Sequence, residues 1–168
     1  MRARATLAAL AVILGADGAG AEGTLEGRVV TFTVLAYDDP EKPFFRARGK
    51  TVKVGQGVEF GLDPEGAQNG VDVAPVDVNI GPTRIEVRFR EGPGQLLIAR
   101  FNGYVLRFET DCALFEGVHV DPEGTNMPLT VEAITSEVNT LYINMSGMEY
   151  ALESRIAVDV KVADCPLS

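Results

Sequence analysis

The sequence predicts an all-β fold, an antiparallel two-sheet sandwich of the jelly-roll or immunoglobulin-like kind, closed by one disulfide. Three observations predict it. About eight or nine short stretches alternate apolar and polar residues with period two, the pattern of strands buried on one face. Clusters of Gly, Pro, Asn and Asp punctuate them roughly every 8–14 residues, and no stretch carries a helical period. One apolar and one polar face per strand means two sheets packed face to face. A closed barrel is the second choice.

Residues 1–21 read as a signal peptide preceding a single domain over 22–168. Arg2 and Arg4 form a basic start, Ala5 to Ala16 an apolar run, and Ala19-Gly20-Ala21 a small-x-small cleavage site before Glu22. The run is short of the roughly 20 residues that span a bilayer, which weighs against an uncleaved anchor. No later segment is long and apolar enough to insert in a membrane after cleavage. Of the 15 basic and 24 acidic residues, Arg2, Arg4 and Asp17 fall in this leader, leaving 13 and 23 and a net charge near −10. Such a charge repels phosphate backbones and anionic lipid, so nucleic acid is excluded as a partner.

Taken in order, Gly27 to Tyr37 is the first strand, with Val30, Phe32, Val34 and Ala36 on one face. Asp38-Asp39-Pro40-Glu41-Lys42-Pro43 ends it, because two prolines cannot continue a ladder. Thr51 to Val54 and Val58 to Phe60 are extended, with Gly55-Gln56-Gly57 between them as a turn or bulge. Asp63-Pro64-Glu65-Gly66 and Asp121-Pro122-Glu123-Gly124 share the chemistry of type I turns. Val71 to Ile80, alternating after a break at Ala74-Pro75, and Arg84 to Arg90, alternating throughout, are joined by Gly81-Pro82-Thr83. The stretch from Gln95 to Cys112 is the expected central strand, opening on the apolar run Leu96 to Ala99 and settling into alternation of Tyr104, Leu106 and Phe108 against Val105, Arg107 and Glu109. Leu114 to Val120 is another strand. Leu129 to Glu137 reads either as a strand or as a short helical turn. Thr140 to Met145 and Arg155 to Val162 are the last strands.

Cys112 and Cys165 are the only cysteines. In a chain bound for an oxidising compartment they are expected to pair, against the alternatives of free thiols or a metal site. Loop-closure entropy assigns such a bridge about 4 kcal/mol.

Val54-Gly55-Gln56-Gly57-Val58-Glu59-Phe60, Phe101-Asn102-Gly103-Tyr104 and Ile143-Asn144-Met145-Ser146-Gly147-Met148 occur in this order. Together they resemble a family of exported bacterial β-sandwich proteins, many of which carry a PEP-CTERM sorting tail, over roughly Thr51 to Val162. The resemblance implies a fold and an exported location. The family has no established activity, so no functional residue carries over. The sequence reaches Cys165-Pro166-Leu167-Ser168 without the apolar helix of such a tail, and sorting by that route is not expected.

The residues offer little catalytic chemistry. His119 is the single histidine, and Ser136, Ser146 and Ser154 lack a nucleophile-elbow context, so an ordinary strand residue is the simpler account of His119. Asp77, Glu86, Glu59 and Asp159 fall on polar strand faces, where solvation explains them as well as a glycosidase pair does. Without tryptophan, Tyr37, Tyr104, Tyr142 and Tyr150 are the remaining rings for a sugar platform. Ca²⁺ is the ion the loops suit, through Asp38, Asp39 and Glu41 or through Asp63, Glu65 and Asn69, although turn chemistry accounts for the same residues. A copper site from Met145, Met148 and His119 is the soft-metal alternative. Gly103 within the central strand marks either a bulge or a ligand cleft beside Phe101, Asn102 and Tyr104. The expected role is a non-catalytic binding or structural module of the cell envelope, periplasmic or secreted, with a protein or glycan as partner and no cofactor. The alternative is an extracellular carbohydrate-active enzyme using paired carboxylates.

Overall fold

A computed structural model of the protein describes residues 23–167. Residues 1–21, read from the sequence as a signal peptide, lie outside the described residues. The strands are β1 (Val29–Tyr37), β2 (Phe45–Arg46), β3 (Lys50–Lys53), β4 (Val58–Leu62), β5 (Val76–Ile80), β6 (Arg84–Phe89), β7 (Gly94–Gln95), β8 (Phe101–Phe108), β9 (Phe115–Val120), β10 (Ile134–Glu137), β11 (Thr140–Asn144), β12 (Glu149–Tyr150) and β13 (Arg155–Val162). A single 3₁₀ turn, Val131–Ala133, precedes β10, so both readings of Leu129 to Glu137 hold in part.

The fold is the expected antiparallel two-sheet sandwich with one disulfide. The first sheet runs β10-β11-β8-β1, with β2 and β3 sharing the far edge of β1. The second runs β4-β5-β6-β13-β9, and β7 with β12 makes a separate two-stranded ribbon. Every pairing is antiparallel, and each of the two large sheets keeps its own ladder rather than closing into a barrel. β8 is indeed central, flanked by β1 over eight register pairs and by β11 over five.

Alternation in the sequence becomes alternation of burial. Along β1 every second residue is buried, and Ile85, Val87 and Phe89 of β6 and Ile156, Val158, Val160 and Val162 of β13 face them across the sandwich. Rings join the layers: Phe32 lies 5.1 Å from Phe60, and Phe108 lies 5.7 Å from Phe115. Removing such side chains from water is the main favourable term in folding.

Cys112 and Cys165 are bridged, with Cα atoms 6.3 Å apart, tying the end of β8 to the segment after β13. Beside the bridge, buried Arg28 donates from Nε to Thr24 O (2.6 Å) and from its Nη atoms to Cys165 O (2.8 Å) and Pro166 O (3.4 Å). Burial pushes this guanidinium below its ordinary value, and Asp164 partly opposes the shift.

Two turn expectations are corrected. Asp63-Pro64-Glu65-Gly66 forms no type I turn: Asp63 is drawn to Arg90 Nη2 (2.6 Å), while the Asp72 carboxylate accepts the amides of Glu65 and Gly66 (3.0 Å each). The reversal falls instead at Asn69-Gly70. Their φ angles of 50° and 80° and the paired bonds between Gln68 and Val71 define a two-residue turn of the I′ class. Asp121-Pro122-Glu123-Gly124 does turn, its aspartate accepting from the Glu123 and Gly124 amides.

Candidate functional site

Two of the three short motifs meet at one end of β8. Leu96 to Ala99 does not join the strand; it forms a loop whose backbone is captured by side chains. Asn102 Nδ2 donates to Leu97 O (3.0 Å), Ser146 Oγ donates to Ala99 O (2.7 Å) and accepts from Ala99 N (2.9 Å), and Asn144 Nδ2 donates to Arg100 O (3.0 Å). The same Asn144 accepts from the amides of Asn102 and Ser146, each at 3.1 Å. Short polar side chains that outcompete the ladder in this way divert a chain from strand into loop.

Gly103 belongs to this knot, and the bulge reading of it is corrected. The ladder runs through Gly103 in register on both sides, opposite Leu35 and Asn144. A Cβ at Gly103 would overlap the carbonyl oxygen of Ile143, so glycine is required by a close backbone approach.

Phe101, Asn102 and Tyr104 do not form a single site. Phe101 points to the outer face of its sheet, stacked on Tyr37 at 5.4 Å and edge-on to Tyr142 at 6.3 Å. Asn102 and Tyr104 share the opposite face and line a cleft of about 370 Å³. Val34, Leu96, Leu97 and the segment 70–75 complete most of its wall, together with Tyr150, which is stacked on Phe89 at 4.6 Å.

Two neutral dipoles and one carboxylate set the electrostatics of the cleft. Asn102 and Tyr104 are 5 % and 3 % exposed. Asn102 Nδ2 donates one hydrogen to Leu97 O while Oδ1 keeps an open acceptor position, and the Tyr104 hydroxyl has no hydrogen-bond partner among the described residues. Burial, with Tyr150 adding to it, pushes the Tyr104 phenol well above its ordinary range, so it stays protonated. Asp72 is the one carboxylate in the lining; its oxygens already accept three backbone amides, those of Glu65, Gly66 and Val73. Arg28 and Thr140, the other buried polar residues described, are tied to neighbours.

The remaining candidates are dispersed. Asp38 accepts from Arg100 N (2.8 Å) and Asp39 from Glu41 N (3.0 Å), which is turn chemistry. Of the second set, Asp63 pairs with Arg90, Glu65 accepts from Arg48 N (3.2 Å), and Asn69 donates to Phe44 O (2.8 Å). Among the described residues no three His, Cys, Asp or Glu are grouped to hold an ion. His119 is exposed on the edge strand β9, opposite Asp159, whereas Met145 is wholly buried against the other sheet. No described hydrogen bond joins His119 to Ser136, Ser146 or Ser154.

Acidic residues also line a groove of about 300 Å³ on the outer face of the second sheet, where Asp77 and Glu86 occur with Arg88 and Arg155. Both acids are ion-paired, Asp77 with Arg90 at 3.3 Å and Glu86 with Arg84 at 2.8 Å. Arg84 further holds Asp121 (2.5 Å) and Asp159 (2.9 Å), a knot of one cation and three carboxylates.

The sequence alone identified Asn102 and Tyr104 but missed Tyr150 and Asp72 as their neighbours. The clue for Asp72 was the Asn69-Gly70 hairpin two residues before it, which folds segment 70–75 against β8. Comparison of the chain with protein families, curated proteins and solved structures found no match.

Proposed function

We propose that the chain is a non-catalytic, exported binding module of the cell envelope or extracellular space, and that the cleft beside Asn102 and Tyr104 is where it binds. One observation carries this reading. Arg28 and Thr140, the other buried polar residues described, are hydrogen-bonded, whereas an amide oxygen and a phenol stand open in one mostly apolar cleft. Concave, apolar sites with a few convergent polar groups are the usual form of small-molecule sites. Neither open group is a nucleophile or a base at neutral pH, so the site recognises rather than transforms. The disulfide is compatible with a compartment outside the reducing cytoplasm, and no helix among the described residues is long and apolar enough to cross a membrane. The resemblance to exported β-sandwich proteins supports the same location.

The test is thermal unfolding of residues 22–168 against a panel of glycans and peptides, with and without Ala74→Trp, which places a large ring in the cleft wall. A ligand that binds the folded state raises the midpoint by mass action. The expected result is a shift that the tryptophan abolishes, with the ligand recovered unchanged. Cleavage of a glycan by the chain, undiminished in the plugged variant, would instead establish the carbohydrate-active enzyme.

A further inference from the structure

We infer that the cleft selects a small uncharged molecule carrying a hydroxyl or amide hydrogen on an apolar body. This rests on the binding-module reading and names what the site accepts.

The open valences dictate it. Asn102 Nδ2 gives one of its hydrogens to Leu97 O, while Oδ1 takes part in no described hydrogen bond and can only accept. A ligand that brings a donor satisfies it. Tyr104, two residues along the same face of β8, brings a protonated hydroxyl that has no protein acceptor. The ligand must therefore also bring an acceptor. Residues i and i+2 of a strand are about 7 Å apart, a span that a hydroxyl or carboxamide with its carbon body can bridge. Val34, Val71, Val73, Pro75 and Leu96 supply the apolar wall for that body.

Charge is disfavoured in both signs. No lysine or arginine lines the cleft, so an anionic ligand would meet Asp72 with no cation to offset it. A cation would find the Asp72 oxygens already holding three amides. A buried charge without a dedicated partner costs far more than a neutral dipole. An unliganded cleft leaves both open groups to water, which a ligand reproducing their hydrogen bonds displaces without loss.

The experiment is an amide-resolved NMR titration of the disulfide-bonded chain with five probes of one shape: cyclohexanol, cyclohexanecarboxamide, cyclohexanone, cyclohexanecarboxylate and cyclohexylammonium. The alcohol and the carboxamide are expected to move the amides of Leu97, Asn102, Tyr104 and Tyr150. The ketone, which accepts but cannot donate, is expected to bind about tenfold more weakly, the ratio of one neutral hydrogen bond. Tyr104→Phe removes a hydroxyl that nothing in the protein uses, so it should weaken cyclohexanol by a similar factor without lowering the unfolding midpoint. Carboxylate or ammonium binding as tightly as the alcohol, or indifference to Tyr104→Phe, would overturn the proposed selectivity and leave a binding cleft. No shift of a cleft amide with any probe would overturn the cleft itself.

Discussion

Replacing Gly103 by alanine adds one methyl group to the most tightly approached point of the central strand. That methyl would sit on the Ile143 carbonyl oxygen, a backbone atom held in the β8–β11 ladder, so no side chain can swing aside to relieve it. Overpacking of this kind costs about 1–3 kcal/mol. Moving β11 outward also endangers the neighbouring bond from Met145 N to Asn102 O (2.8 Å), which adds about 1 kcal/mol. The sum, about 2–4 kcal/mol, should lower the unfolding midpoint by about 4–16 °C for a domain of this size. Urea unfolding followed by circular dichroism reads the loss directly as a fall in midpoint at constant slope. Gly117→Ala in β9 is the control, because its added Cβ meets nothing nearer than Lys161 Cβ at 3.7 Å, an ordinary contact. If Gly103→Ala and Gly117→Ala unfold within about 0.5 kcal/mol of each other, the scatter expected of neutral substitutions, the close-approach account of Gly103 is wrong.

Reduction, or Cys112→Ser with Cys165→Ser, should cost about 4 kcal/mol through the freed loop, visible as a midpoint drop that reductant imposes on the native chain but not on the double variant. Gly70→Ala should cost about 1 kcal/mol, since φ at this turn position is 80°, where a Cβ is unfavourable; chemical unfolding would reveal an unchanged midpoint if the turn is not of the I′ class. Asp121 should shape the acid limb of stability. Its hydrogen bond from Arg84, followed by those from the Glu123 and Gly124 amides, holds its carboxyl below the ordinary value. A carboxyl depressed on folding contributes above its unfolded pKa of about 3.9, and that contribution is lost as pH falls below it through the folded value. Asp121→Asn should therefore flatten the decline of the melting temperature below about pH 4, and an identical slope in variant and parent would remove Asp121 from the account.

What the sequence revealed depended on how local the cause was. The strands β1, β6 and β13 announced themselves because each buries one face and wets the other, so the pleat is written as alternation. The pairing of Cys112 with Cys165 followed from compartment and number alone. Leu96 to Ala99 misled, because what unravels it lies 47 residues away in Ser146. Asp63-Pro64-Glu65-Gly66 misled for a related reason: its turn donors were taken by Asp72 and its aspartate by Arg90, neither of them part of the tetrapeptide. Asn69-Gly70 needed no distant partner and could have been read as the hairpin it is. The cleft was half legible. Asn102 and Tyr104 stood out beside a glycine in a strand, but their separation from Phe101 required knowing which face of β8 met the second sheet.

Arg28 has a consequence for how the domain is presented. It binds Thr24, Cys165 and Pro166 together, and Gly23 N donates to Val162 O (3.2 Å), so both ends of the described chain leave the sandwich from one place. That place is beside the first residue of β1, whereas the cleft is lined by Val34, further along the same strand by about 17 Å at the usual rise per residue. Any surface, linker or neighbouring domain joined at either end would therefore hold the sandwich by its foot. The mouth beside Tyr104 would stay clear of the attachment, and a tether could be lengthened or exchanged without reshaping what it displays.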